Sequence, residues 1–240
     1  MAQRAQAKSA RTARAAAGKN AAVVVDDIRE AVTHLKRERI IAVAVELFYS
    51  KGFGNTTLDA VAERMNVTKP FIYSHFKSKG ELLAEICARG IGASLAAINR
   101  VAESTATSAA KLAALTRDFV SAVLHNQKHI AIYTREEKNL DAGDSAAIRK
   151  MRREFDRKLV KLLDDGVAGG EFDIADTRMA ALAIGGIASW AYVWFRPGGR
   201  LAAEQIAEHM AGLVLAMNKA DAAGARRRNK RILGKRGRSK

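Results

Sequence analysis

The stretch TTLDAVAERMNVTKPFIYSHFKSK, residues 56 to 79, spaces its apolar residues as helices do but breaks the pattern after about two turns, with Pro70 at the second start. Helices this short are marginal in water, because nucleation is costly and one or two turns bury little. A chain containing such a pair must brace the two against each other and against neighbours. Thr56 and Asp59 have capping-box spacing for a helix with Leu58, Val61, Ala62 and Met65 inward. Asn66, which tolerates left-handed backbone, ends it. Thr68 is placed to cap the next helix, with Pro70 in its first turn, where a missing amide proton costs nothing, and Phe71, Ile72 and Phe76 toward a core. Before the pair, Leu35, Ile40, Ile41, Ala44, Leu47 and Phe48 form one helical stripe that stops at Lys51-Gly52. After it, Ser78 is placed to cap a long helix beginning KGELLAEICARGIGASL. Three short helices, the last two joined by a tight turn, predict a helix-turn-helix.

The outer side of the third helix separates a DNA reader from an ordinary helical subdomain. It offers Thr68, Lys69, Tyr73, Ser74, His75 and Lys77, and no acidic residue lies between Thr68 and Lys79. A solvated face normally mixes signs, whereas phosphate oxygens and base edges favour donors and stackers of this kind. The second helix then serves to brace the third for entry into a major groove.

The string GFGNTTLDAVAERMNVTKPFIYSHFKSKGELL resembles the DNA-binding segment of the tetracycline-repressor (TetR) family, in its GF…TT opening, in Val67-Thr68 at the turn, and in the Tyr73, Phe76, Lys79 spacing. Family members carry Ala-Gly where this chain has Met65-Asn66. The resemblance implies that Thr57, Tyr73, His75 and Lys79 contact backbone phosphates, with Thr68, Lys69 and Phe71 nearest the bases. It also implies an all-α chain: a three-helix helix-turn-helix domain followed by a larger helical ligand-binding and dimerisation domain.

Helical patterns continue to residue 218. Residues 106–125 carry Leu112, Leu115, Phe119 and Val123 on one face, and a long helix from Asp144 to about Val167 ends at Gly169-Gly170. The GVAGG sequence there reads as a helix stop rather than a phosphate loop. Two more helices are expected at about 174–195 and 200–218. The first is apolar nearly all round, and pairing it with its counterpart in a second subunit, as the TetR family does in a four-helix bundle, would bury it. Its 17-residue uncharged run, Met179 to Phe195, is too diluted by Ala, Gly and Ser to read as a membrane span. Phe119, Tyr133, Phe155, Trp190 and Trp194 are read as the walls of a ligand pocket or as plain core. The segments YTREEKNL, REFDRKLVKLL, GEFD and WFRPGGRL resemble a TetR subgroup that senses acyl-coenzyme A thioesters of lipid or aromatic-acid breakdown, so an acyl-CoA is the expected effector, with Arg117, Arg135, Arg152 and Arg153 as candidates for its charged end.

Charge is distributed unevenly. The formal net charge of +16 divides into +4 over residues 1–36, +3 over 37–218 and +9 over 219–240. The expected organisation is a basic flexible arm (1–34), the DNA-binding domain (35–82), the ligand-binding and dimerisation domain (83–218) and a basic disordered tail (219–240). An organellar transit peptide would also suit the composition of the N-terminus. The single cysteine, Cys87, forbids an intramolecular disulfide and suits the cytoplasm. His125 and His129 stand at metal-helix spacing without the glutamate between them or a third ligand, and Glu136-Glu137 are flanked by cations, so no metal, cofactor or catalytic set is expected. The functional expectation is a homodimeric, ligand-responsive transcriptional regulator, a repressor, bound to a palindromic DNA operator, cytoplasmic, with no membrane partner. The alternative is a constitutive or non-specific DNA-binding protein that works through its basic tails.

Overall fold

The computed structural model describes the backbone of residues 2–219 and side chains from Asp27 onward. Helix α1 (Ala2–Lys51) carries the stripe predicted from sequence: Ile40, Ile41, Ala44, Val45, Leu47 and Phe48 are buried, whereas Leu35 is 66% exposed and lies outside it. The described part of the arm expected over 1–34 is continuous with this helix, and the side chains of 27–36 are exposed. Gly52 ends α1 at φ +83, a left-handed conformation that costs glycine little, with its amide bonded to the Phe48 carbonyl.

Helix α2 (Leu58–Met65) starts one residue later than the capping-box reading requires. Thr57 is the N-cap, its hydroxyl accepting from Ala60 N at 3.1 Å. Thr56 is instead buried and donates to the Gly52 carbonyl at 2.9 Å, tying the loop to the end of α1. Two adjacent threonines satisfy the same local rule, and the one whose side chain faces the core is consumed by it. Asn66 closes α2 at φ 55 and ψ 46, as its chemistry allows. Helix α3 (Lys69–Tyr73) is only five residues long, and Thr68 at its N-cap makes no side-chain capping bond. Ser78 does cap α4 (Lys79–Ala102), accepting from Glu81 N at 3.0 Å.

Two hydrophobic cores share α4. The first joins α1, α2 and α3 to Leu82, Leu83, Ile86 and Cys87 of α4, and also takes in Ile132 and Tyr133 of α6 (Gln127–Glu136) and Ile148 of α7 (Ala142–Ala168). The second packs the end of α4 with α5 (Ser108–His125), α7, α8 (Thr177–Trp194) and α9 (Ala203–Asn218). A 3-10 turn, Glu137–Asn139, follows α6. Gly169 and Gly170 end α7, the latter at φ +74, in agreement with the helix-stop reading of GVAGG. At the same corner a Cβ on Gly166 would lie 2.1 Å from the Phe172 ring, so only glycine admits that ring. Glu171 then caps α5, its carboxylate accepting from Ser108 N at 3.0 Å and Ala109 N at 2.9 Å. Among the described residues no strand forms beyond an isolated bridge between Phe172 and Lys219. The rest of the basic tail lies outside the described residues.

One surface of the helical body is unusually apolar. Met179, Leu182, Trp190 and Trp194 on α8, with Leu213 and Met217 on α9, are 47–64% exposed. No helix among the described residues is long and apolar enough to cross a membrane.

Candidate DNA interface and effector cavity

The reading surface is built on the α2–α3 pair. Ile72 and Phe76, fully buried, anchor α3, which leaves Thr68, Lys69, Tyr73, Ser74 and Lys77 exposed. Tyr73 is 50% exposed. Thr57 is exposed, so its hydroxyl can donate outward while capping α2. Lys69 is less free than its sequence suggests, because Nζ pairs with Asp59 at 2.6 Å. Phe71 is half-buried, and the His75 ring meets it edge-on with centroids 5.2 Å apart. Burial first, then the nearby charges of Lys36 and Arg37, hold the His75 imidazole below its ordinary pKa. Lys79 donates to the Phe53 carbonyl at 2.7 Å and sits 4.3 Å from the Phe53 ring centroid. With a longer bond to the Gly54 carbonyl at 3.5 Å, this ties the start of α4 to the α1–α2 loop and leaves the ammonium one further donor.

A residue set not singled out from sequence holds α3 in place. Arg37 of α1 donates to the His75 carbonyl, pairs with Glu85 of α4, and lies 4.1 Å from the centroid of the Phe76 ring. Arg89 joins the same network through two bonds to Glu38, at 2.6 and 2.7 Å, and one to Glu85 at 2.7 Å. Its hydrogen bonds keep the Glu38 carboxyl below the usual range. The available signals were the Glu85–Arg89 spacing on α4 and the Arg37-Glu38 pair one turn ahead of the buried stripe.

In the body, a cavity of about 300 Å³ is bordered by Phe119 of α5, Tyr133 of α6, Phe155 of α7 and Trp190 of α8. This brings together four of the five residues read as pocket or core. Phe119 and Phe155 pack with centroids 4.9 Å apart. Trp194 does not line the cavity; it borders an open groove between α8 and α9 with Met210, Leu213 and Met217. Its place four residues beyond Trp190 carries it about 6 Å along the axis and past the cavity end. The charged groups at the cavity are Arg152, Asp156 and Glu137, and Ser94, Thr134 and Ser189 add hydroxyls. Arg152 donates to the Tyr133 hydroxyl at 2.9 Å; burial raises the Tyr133 pKa, and that bond partly offsets it. Of the other arginines, Arg117 pairs with Glu208, Arg135 lies over Tyr49 of α1, and Arg153 is exposed. The two histidines at metal-helix spacing fall on different helices: α5 ends at His125, which lies 3.5 Å from Glu204, and His129 lies on α6.

A helix-turn-helix head with an acid-free recognition segment, joined through a shared helix to a helical body with an apolar cavity, defines a DNA-binding transcription regulator. Comparison with known proteins agrees. Residues 40–86 match the family described as bacterial regulatory proteins, tetR family, and residues 105–218 match the tetracyclin repressor-like C-terminal domain. A TetR/AcrR-family regulator of Thermobifida fusca is 33% identical, with a TM-score of 0.61 over 75% of this chain and 96% of that one. The HTH-type transcriptional repressor KstR2 of Mycolicibacterium smegmatis is 27% identical over 75% of this chain and 89% of its own length. The structure of AibR in complex with isovaleryl coenzyme A and operator DNA is 25% identical, with a TM-score of 0.65 over 74% of this chain and 97% of that one. The chain belongs to the TetR family of transcriptional regulators.

Proposed function

We propose that this regulator is a homodimeric repressor that holds a palindromic operator and releases it when a small hydrophobic effector, an acyl-CoA of lipid or aromatic-acid breakdown, enters the body. Residues 35–82 form the reading head, residues 83–218 sense and pair, and the basic segments 1–34 and 219–240 add attraction to DNA. The observation that carries the ligand response is the double membership of Tyr133. Its side chain lines the cavity and belongs to the same packed core as Ile72 of the recognition helix. A ligand that displaces it acts on the head through contiguous packing, and a coupling of about 1–3 kcal/mol between the two sites suffices for induction.

Several features support the remainder. The apolar face of α8 and α9 fits an isologous contact that completes a four-helix bundle, and a two-fold dimer presents its recognition helices to successive major grooves. Tyr73, Thr57, His75 and Lys79 flank the recognition helix where phosphates would lie, and Thr68, Lys69 and the edge of Phe71 stand nearest the bases. AibR, of the same fold, binds isovaleryl coenzyme A. The test is titration of acyl-CoA esters and the corresponding free acids against the protein–operator complex. Release at micromolar thioester is the expected result; release only by a cationic drug or a flavonoid would refute the effector class.

A further inference from the structure

Thr56, Ser94, Thr116 and Asn218 are buried polar side chains among the described residues. Three of them hold a backbone carbonyl: Thr56 that of Gly52 at 2.9 Å, Thr116 that of Leu112 at 2.8 Å and Asn218 that of Val214 at 2.7 Å. Ser94 of α4, 7% exposed, has no hydrogen-bond partner among the described residues, although a helical serine can reach the carbonyl four residues back. A buried hydroxyl without a partner carries an uncompensated desolvation cost, so its surroundings decide whether it is a packing compromise or a contact kept for a ligand.

Those surroundings are the effector cavity, which Ser94 borders with Phe119, Val123, Tyr133 and Phe155. The other hydroxyls there are engaged. Tyr133 accepts from Arg152 at 2.9 Å, Thr134 donates to the Ile130 carbonyl at 2.9 Å, and Ser189 donates to the Gly186 carbonyl at 3.3 Å. The charges also limit what can enter. Glu137 and Asp156 outnumber Arg152, and burial already raises the Asp156 carboxyl above its ordinary pKa, so a further carboxylate is disfavoured. We infer that Ser94 donates a hydrogen bond to an uncharged carbonyl oxygen of the effector, while the apolar chain behind that carbonyl packs against Phe119 and Phe155. The inference rests on the reading of this cavity as the effector site. It assigns the part of the ligand that enters: a neutral acyl group, in thioester, ester or amide form, and not a free acid. A volume of about 300 Å³ lies at the small end for ligand cavities and suits a short chain.

The experiment is calorimetric titration of the full-length protein, wild type and Ser94→Ala, with three probes: hexanoyl-N-acetylcysteamine, its thioether analogue S-hexyl-N-acetylcysteamine, which lacks the acyl carbonyl, and hexanoate. Operator release by acyl-CoA esters is measured in parallel. The thioester is expected to bind the wild type and to weaken about threefold to tenfold in Ser94→Ala, whereas the thioether binds both proteins alike, so the preference for the carbonyl disappears with the hydroxyl. Hexanoate should bind the wild type more weakly than the thioester. The urea midpoint of Ser94→Ala should equal or exceed that of the wild type, because no bond within the protein is lost. A lowered midpoint with equal losses for thioester and thioether would make Ser94 a packing residue and overturn the inference. Thioester affinity unchanged by the substitution, hexanoate bound as tightly as the thioester, or no thioester binding to the wild type would each overturn it too; operator release by acyl-CoA esters in those cases leaves the effector class standing. Thioester affinity lost with the Ser94 hydroxyl, but no operator release by any acyl-CoA, would uphold the contact and refute the effector class.

Discussion

Replacement of Arg37 by Ala tests how the recognition helix is held. Helix α3 has five residues and cannot persist by itself, so its C-terminal end depends on what grips the His75 carbonyl. Arg37 supplies that grip. A hydrogen bond to a charged donor contributes roughly 1.5–3 kcal/mol when desolvated, and about 1 kcal/mol is the better figure here because the side chain is 30% exposed. The cation–π contact with Phe76 adds roughly 0.5–1 kcal/mol. Glu85 keeps Arg89 at 2.7 Å, so no unpaired carboxylate is left and no further penalty enters. The expected loss is about 1.5–2 kcal/mol, read from the urea midpoint. In operator anisotropy titrations at fixed salt, affinity should fall on every sequence alike, by at most about tenfold to thirtyfold if the whole loss must be recovered on binding. Arg37→Lys should keep the pairing with Glu85 but lose the bridge to His75 and recover only part. A lowered urea midpoint with operator affinity within about twofold of wild type would refute the argument, because Arg37 would then tie α1 to α4 without positioning α3.

Tyr73→Phe should lower operator affinity by roughly 0.5–1.5 kcal/mol without altering base preference, the signature of one lost neutral phosphate bond; a changed preference in a competition assay would place Tyr73 on a base instead. Gly166→Ala should destabilise by about 1–3 kcal/mol in urea unfolding, since the added methyl would lie 2.1 Å from Phe172 and 3.0 Å from the Ser108 Cβ, and a stability equal to wild type would show that the corner yields freely. Burial pushes the Cys87 thiol up to about 12, so at pH 8 almost no thiolate forms and iodoacetamide should leave the folded protein unlabelled while labelling it in urea; rapid labelling of the native state would show that the first core opens there.

The helical periodicity of α1, α5, α7 and α9 was legible because each buries one stripe, and a stripe is written in residues three and four apart. Asn66 and Ser78 were legible for a related reason: a left-handed cap and an N-cap are bonds between a side chain or backbone group and its own next turn. The same locality explains the failure at Thr56. Two neighbouring threonines meet the same short-range requirement, and the choice between them was made by the core under α1, which no window of a few residues contains. Lys69 and Lys79 were visible as charges, but their partners, Asp59 and the Phe53 carbonyl, lie 10 and 26 residues away.

The sequence by itself determined that the strong patterns are helical, where α1, α2 and α7 stop, and that one short helix presents donors without acids. Those properties follow from backbone hydrogen bonding and side-chain spacing within single turns. Tertiary structure alone decided that Arg37 grips the end of that helix, that Tyr133 belongs both to the cavity and to the head's core, and that Trp190 borders both the cavity and the outer α8–α9 groove while Trp194 borders the groove alone. Each of these depends on which helices cross and at what height, a long-range arrangement set by the summed packing of two cores, so no local pattern can encode it.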